Sequence, residues 1–175
     1  MSFEALDVRP ATPADVESLV ALWHDVWHET HAPLMPPALV RLRTPADFRE
    51  RLRAHLGDVC LAGPAAAPAG FCMLKGDELH QLFVSAPARG SGAAAVLMAD
   101  AEARLAERGV ATTWLACAVG NERAARFYER SGWRRTATTV SQVSTPAGPF
   151  PVDVWRYEKV LCHHAPAAVA KGRSR

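Results

Sequence analysis

The sequence predicts an α/β (α+β) protein in which helices cover a mixed β-sheet. Its 175 residues are 49% hydrophobic and 22% charged, a balance that suits one compact domain with a buried core. Segments with helical periodicity alternate with short apolar runs, and they add up to about four helices and about seven strands. We expect one domain over residues 1–162 and a flexible tail over 163–175.

The N-terminal half contains two helix starts and four strands. "ALDVRPAT" is typical of a strand, and "TPADVESLVALWHDVW" predicts a helix with Thr12 as cap and Pro13 in its first turn. "TPADFRERLRAHLG" repeats that signal at residues 44–57, and "DVCLAG" predicts the next strand. "AGFCMLKGDELHQLFV" divides at Lys75, Gly76 and Asp77, which favours an antiparallel hairpin.

The C-terminal half alternates helices with strands. Residues 92–109 carry an apolar stripe at helical spacing, and "ATTWLACAV" is apolar on both faces, as expected for the middle of a covered sheet. "NERAARFYERSGW" begins with Asn121, a good cap, and ends in Ser-Gly, so it predicts a short helix. Strands follow at about 134–144 and 151–161, and "HHAPAAVAKGRSR" lacks a burial pattern.

Charge and cysteine content exclude several classes of protein. A net charge of +2 from interspersed acids and bases gives no broad field for nucleic acid or an anionic membrane. The first residues lack a secretion signal and no apolar run could span a bilayer, so we expect a cytoplasmic protein. Small buried thiols are favoured over disulfides for the four cysteines, Cys60, Cys72, Cys117 and Cys162.

"RGSGAA", at residues 89–94, places bare backbone at the start of a predicted helix. The free N–H groups there attract anions, and Arg89 adds a cation, so the loop predicts a phosphate site. A Walker A loop is excluded because there is no lysine. The dinucleotide fingerprint matches Gly90, Gly92 and Ala95, but a hairpin precedes it and no acid for a ribose lies about 20 residues on.

The loop also resembles the pyrophosphate loop of the Gcn5-related N-acetyltransferases (GNAT), [QR]-x-x-G-x-[GA], through Arg89, Gly92 and Ala94. "HQLFV" is similar to the strand before that loop, and "NERAARFYERSGW" to the family's N-x-x-A-x-x-F-Y-x-x-x-G-[FW] segment. "VRPATPADVESLVALW" and "VWRYEKVL" resemble its first strand and helix and its last strand, so the likeness spans roughly residues 6–161. It implies a mostly antiparallel sheet, splayed between the fourth and fifth strands.

The resemblance implies acetyl-CoA as the acetyl donor and no metal. The cofactor's pantetheine arm would lie between the strands ending at Val84 and near Ala118, and the Val84 N–H would polarise the thioester carbonyl. Tyr128 would serve as proton donor to the departing sulfur, and Asn121 would contact the pantetheine arm. The other implied cofactor contacts are the backbones of Leu82, Phe83, Arg89, Gly90, Ser91, Gly92, Ala93 and Ala94.

The acceptor amine would attack the thioester directly, so its proton must be removed first. Glu78 and His80 are candidate bases because they lie two residues apart on one strand and share a face, with a water chain as the alternative. Histidines occupy similar positions in arylalkylamine acetyltransferases. Some ribosomal-protein acetyltransferases carry a glutamate five residues before the asparagine, where this sequence has Ala116.

The acceptor is predicted to be an amine of a small molecule or a peptide. Trp23, Trp27 and the turn around Phe150 are expected to wall its pocket, and homodimers are frequent in the family. His24, His28 and His31 recur at helical spacing, which favours a border of this pocket over a zinc site. A non-catalytic acyl-CoA-binding sensor is the alternative function, which Tyr128 disfavours because a sensor needs no proton donor.

Overall fold

A computed structural model describes residues 6–161 and contains one seven-stranded sheet. The strand order is β1-β2-β3-β4-β5-β7-β6, and every neighbouring pair is antiparallel except β4 and β5. This confirms the predicted mixed, mostly antiparallel sheet. The strands are β1 Val8–Pro10, β2 Val59–Ala62, β3 Gly70–Lys75, β4 Glu78–Val84, β5 Thr112–Ala118, β6 Arg134–Thr145 and β7 Gly148–Val160.

The α-helices over residues 6–161 number five, one more than the sequence pattern indicates. The additional helix, α2, has six residues with only Leu39 buried, so it is too short to carry a visible helical period. The helices are α1 Val16–Thr30, α2 Pro37–Leu42, α3 Pro45–Ala54, α4 Ala93–Glu107 and α5 Glu122–Arg130. None of the described helices has both the length and the apolar character needed to span a membrane.

Side-chain caps fix two of the helix starts that the sequence marks. The Asn121 side chain accepts a hydrogen bond from the Ala124 N–H at 3.3 Å, and Thr44 accepts one from the Asp47 N–H at 3.3 Å. At α1 the start is later than predicted, because a 3₁₀ turn over Pro13–Asp15 comes first. Its Asp15 carboxylate accepts from the Thr12 N–H and forms an ion pair with Arg9.

Two apolar clusters lie on opposite faces of the sheet. One joins α1 and α3 to the sheet and centres on Trp23, Phe48 and Phe71. The other joins α4 and α5 to the sheet and includes Leu97 and Tyr157. The sheet therefore separates the two clusters, and a gap between neighbouring strands would connect its two faces.

Strands β4 and β5 are joined only where they begin. Their one paired register position is Glu78 with Trp114, and the Trp114 N–H and Thr113 hydroxyl both donate to the Asp77 carbonyl beside it. Beyond this point the strands diverge toward Val84 and Ala118. The predicted splay between the fourth and fifth strands is thus confirmed, and it opens a gap in the middle of the sheet.

Two details of the C-terminal half differ from expectation. Strand β5 is not covered on both faces, because Thr112 and Ala116 are exposed. The last two strands form a longer hairpin than predicted, so Phe150 lies within β7 and not in a turn.

The buried thiols agree with prediction. Cys60, Cys72 and Cys117 are free and buried, and burial raises the pKa of Cys60 to about 11 and those of Cys72 and Cys117 to about 12. Cys162 and the predicted tail lie outside the described residues.

Candidate active site

A cavity of about 420 Å³ occupies the gap between the splayed strands. Its walls come from β4, β5, the start of α4 and one face of α5, with His31 from the end of α1. A cavity of this size is in the usual range for small-molecule and cofactor sites. The predicted cofactor-binding residues that line it are Leu82, Phe83, Val84, Arg89, Gly90, Gly92, Ala93, Ala94, Asn121 and Tyr128.

The loop before α4 offers unpaired N–H groups to this cavity. Gly90 and Gly92 have φ of +78° and +90°, a left-handed conformation that other residues rarely adopt. Within residues 6–161 the Ala94 and Ala95 N–H groups have no backbone or side-chain acceptor, and both residues line the cavity. Ser91 does not line the cavity, and its N–H and its hydroxyl both donate to the Ala88 carbonyl, at 3.2 and 2.6 Å.

Arg89 lies at the rim of the loop in a two-pronged ion pair. Its two terminal nitrogens each donate to a carboxylate oxygen of Glu29 at 2.6 Å. The Arg89 hydrogen bonds hold the pKa of the half-exposed Glu29 carboxyl below its usual value. An anionic ligand on the loop would therefore compete with Glu29 for this guanidinium.

Strand β4 presents alternate backbone groups to the gap. The Ser85 N–H donates to the Ala69 carbonyl at 2.8 Å, so the N–H of Phe83, two residues earlier, also faces β3. The N–H groups of Leu82 and Val84 then face the other side, where β5 has moved away. Of the three backbone donors expected here, the strand geometry provides the Leu82 and Val84 groups and directs that of Phe83 elsewhere.

Tyr128 extends from α5 into the same cavity. Its ring packs against Phe127, Trp133 and Tyr157 at centroid distances of 5.7, 6.5 and 5.8 Å. Burial raises the pKa of Tyr128 above its ordinary value, so the hydroxyl stays protonated at neutral pH. Among the described residues this hydroxyl has no hydrogen-bond partner, so it is free to donate to a ligand.

A second, smaller cavity of about 120 Å³ lies on the α1 and α3 face of the sheet. Trp27 lines it, as predicted, but Trp23 does not, because it is fully buried in the core against Phe48. Phe150 packs on the core as well, and Val152 lines the cavity in its place. Both cavities share the residues of the gap: His31, His80, Gln81, Phe83, Ala116 and Ala118.

The two candidate bases lie together at this junction. Glu78 lines the smaller cavity and His80 lines both. The Glu78 Oε1 and His80 Nδ1 atoms are 3.1 Å apart, yet their alignment is not that of a hydrogen bond, and Nδ1 is buried without a partner. The His80 ring therefore has an unused nitrogen within reach of a carboxylate.

Comparison with models of protein families shows which family has this fold. The model of the acetyltransferase (GNAT) family matches residues 18–133, two thirds of the chain. The chain belongs to the GNAT family.

Solved GNAT structures share the fold of this family member at low sequence identity. A GCN5-related N-acetyltransferase from Rhodopseudomonas palustris superposes with a TM-score of 0.72 at 20% identity, covering 92% of this chain and 99% of that one. PaiA N-acetyltransferase from Thermoplasma acidophilum, solved with coenzyme A, has a TM-score of 0.66 at 16% identity and coverages of 90% and 99%.

YncA from Salmonella typhimurium, solved with its cofactor acetyl-CoA, has a TM-score of 0.68 at 16% identity, with coverages of 93% and 97%. No curated protein matches the sequence significantly. At these identities the structural likeness establishes the fold.

The three histidines of α1 and its end have separate partners in this GNAT domain. His24 Nδ1 lies 3.1 Å from the Asp25 carboxylate, and His28 Nε2 lies 2.8 Å from the Arg43 carbonyl. His31 stacks on Trp27 at 5.8 Å and borders both cavities. Among residues 6–161 no group of three or more His, Cys, Asp or Glu side chains is arranged to hold a metal.

His31 makes folding stability depend on pH. Burial lowers its pKa from 6.5 to about 4, so the folded protein binds fewer protons than the unfolded chain between these values. The contribution is complete above pH 6.5 and is lost as pH falls toward 4. We expect a loss of about 2 kcal/mol, below the full linkage value of ~3 kcal/mol because the ring borders open cavities.

Urea denaturation of the wild type and His31→Gln at pH 7 and pH 4.5 measures this loss. The wild type should lose more stability than the variant between these two pH values, because only the wild type has the His31 imidazole. Both proteins retain every other acid-sensitive group. An equal loss in the two proteins would contradict the assignment to His31.

Several residues of the two cavities were missed from the sequence. Arg123 lines the large cavity, and Arg43 and Arg51 line the small one. Arg51 lies in a helix with four other charged side chains, so the sequence favours a solvated surface for it. Only the packing of α2 and α3 against the sheet brings the two arginines to the site.

Proposed function

We propose that this protein is an N-acetyltransferase that moves the acetyl group of acetyl-CoA to an amine by direct attack within a ternary complex. The observation that carries the proposal is the large cavity itself. At one end the cavity has a left-handed glycine loop with unpaired N–H groups, and along its length it has a splayed pair of strands. Together these two features suit a pyrophosphate attached to an extended arm.

The reaction forms one bond and breaks another. The amine nitrogen, as the free base, attacks the acetyl carbon, the new N–C bond forms and the C–S bond breaks with its electron pair on sulfur. The starting ammonium loses two protons in total, of which one ends on the CoA sulfur and the other goes to solvent. The protein must therefore accept a proton at one place and supply hydrogen bonding at two others.

Backbone and tyrosine groups supply the hydrogen bonding. The Val84 N–H faces the gap and suits the carbonyl oxygen on which negative charge develops. Tyr128 donates to the departing sulfur. Because burial raises the Tyr128 pKa further above that of a thiol, about 8.5, complete proton transfer from the phenol is uphill, and a strong hydrogen bond to the forming thiolate is the easier role.

Glu78, His80 or, as the alternative, a water chain removes the proton of the acceptor. In support of this role, His80 lines both cavities and Glu78 lines the small one, from which an amine would approach a thioester in the large one. Acceptors are then amines of small molecules or of peptides.

Reversing the charge of Arg89 tests the cofactor site. Arg89→Glu should weaken CoA binding by about 10- to 100-fold, because a hydrogen bond to a charged group contributes about 1.5–3 kcal/mol. Calorimetric titration of CoA into the purified protein measures the change. Arg49→Glu is the matched control, since Arg49 forms the same kind of two-pronged pair with Glu17 away from both cavities.

Equal Kd values for CoA in wild type and Arg89→Glu would remove Arg89 from the cofactor site. Turnover is tested separately by thiol release from acetyl-CoA with a broad panel of amines. Tight CoA binding without thiol release across the whole panel would favour the sensor over the enzyme.

A further inference from the structure

The small cavity has a cationic wall that the acetyl transfer itself does not use. Arg43, at the end of α2, and Arg51, in α3, both line it, although only 3% of Arg43 is exposed to solvent. Asp47 lies between them, with its Oδ2 atom 2.9 Å from Nη1 of Arg43 and 3.9 Å from Nη1 of Arg51. One carboxylate thus faces two guanidinium groups, and this wall has a net positive charge.

The hydrogen bonds of Arg43 leave one edge of its guanidinium unused. Nη1 donates to Asp47 and to the Ser144 carbonyl at 2.8 Å. Nε is buried with no partner, and Nη2 donates to no group within residues 6–161. The Nε and Nη2 edge is a side of the guanidinium fork that binds a carboxylate through two parallel hydrogen bonds. A buried donor without a partner is costly, so this edge is suited to a ligand.

Arg51 offers a second set of free donors. Its guanidinium lies 4.5 Å from the centre of the Trp23 ring, which holds the side chain in place, and it makes no hydrogen bond to any described residue. Burial and then the charge of Arg43 lower the pKa of Arg51 to about 10. The group remains charged at neutral pH, and an anion beside the two arginines would relieve their repulsion.

The strand wall of the same cavity carries the opposite charge. Glu78 and His80 of β4 lie there, and the Glu78 carboxylate is within 4.0 Å of neither arginine. The other titratable group lining this cavity is His31, whose low pKa of about 4 keeps it neutral. His55 packs behind His80 at 6.1 Å. The cavity therefore has walls of opposite charge, and Glu78 on the anionic wall lies beside His80, which also lines the gap between the strands.

We propose that the small cavity binds a free amino acid, whose carboxylate pairs with Arg43 and Arg51 and whose amine faces Glu78, His80 and the gap. This inference rests on the proposed acetyl transfer and names its acceptor class. A volume of about 120 Å³ suits a small zwitterion, and the two walls match its two charges. A peptide terminus fits less well, because its first carboxyl group is a neutral amide.

The test compares L-amino acids with their carboxamides, which differ only in the charge of the carboxyl group. The acid should be acetylated with a kcat/KM about 10- to 100-fold above that of its amide, mainly through KM. Arg51→Gln should bring this ratio close to one. Arg53→Gln is the matched control, because Arg53 lies exposed on the same helix outside both cavities, and it should keep the wild-type ratio.

Calorimetric titration of the preferred amino acid into the CoA complex provides a second readout that does not depend on turnover. Binding should be lost in Arg51→Gln and retained in Arg53→Gln. Equal use of acids and amides, or an unchanged ratio in Arg51→Gln, would overturn the amino-acid proposal while leaving the acetyltransferase intact. Amino-acid binding that depends on Arg51 without any thiol release would instead support the pocket and contradict the enzyme.

Discussion

Tyr128→Phe is expected to lower kcat for acetyl transfer by about 100-fold or more, the usual range for loss of a positioned proton or hydrogen-bond donor. The hydroxyl reaches the large cavity and has no partner among the described residues, so its removal takes away a donor to the leaving sulfur without breaking a bond inside the protein. Affinity for CoA should remain, because the loop before α4 is unchanged. Steady-state kinetics and CoA titration of the same preparation measure both quantities.

The second tyrosine of the chain provides the control. Tyr157 is fully buried and its hydroxyl donates to Glu129 at 3.0 Å, away from the cavities. Tyr157→Phe also removes one phenolic hydroxyl, and it should alter stability more than kcat. If Tyr128→Phe kept the wild-type kcat, the tyrosine would have only a packing role. Water would then have to donate the hydrogen bond or proton to the departing thiolate.

Gly70→Ala is expected to lower the free energy of unfolding by about 1–3 kcal/mol, and the melting temperature by roughly 2–10 °C. A Cβ at this position would lie 2.5 Å from the Phe83 carbonyl oxygen and 3.2 Å from the Val84 Cα. Both are backbone atoms of β4, so relief requires movement of the strand that carries the Val84 N–H. The same variant should therefore lose kcat even under conditions where it is fully folded.

Gly57→Ala is the matched comparison, since a Cβ at that position would meet no atom within 4 Å and the φ of Gly57 is not in the left-handed region. Thermal unfolding of the two variants and the wild type should show a large shift for Gly70→Ala and little for Gly57→Ala. Equal melting temperatures for all three would mean that β3 and β4 yield more easily than their packing indicates.

The parts of the site that were predictable are those encoded in consecutive residues. The loop from Arg89 to Ala94 requires glycines at two left-handed positions and a helix directly after them, and all of this is visible in six letters. Asn121 and Tyr128 lie on one short helix with both ends marked, so their spacing fixes their relative position. Local chemistry and local geometry agree in these segments, so the sequence predicts their backbone conformation.

The acceptor side was only partly predictable, because distant elements build it. Arg43, Arg51 and Val152 come from three parts of the chain, and they meet Glu78, which the sequence does indicate, only after the sheet forms. Trp23 and Trp27 show the same limit within one helix. They share a face, yet the first is enclosed by Phe48 and the second borders the cavity, and helical spacing carries no information about where the core ends.

The divergence of β4 and β5 also gives the two cavities a common wall. His31, His80 and Phe83 line both cavities. The side chains at these three positions therefore shape both cavities at once. A substitution at one of these positions should accordingly alter both cavities, so a variant that changes only one of them has to be made elsewhere.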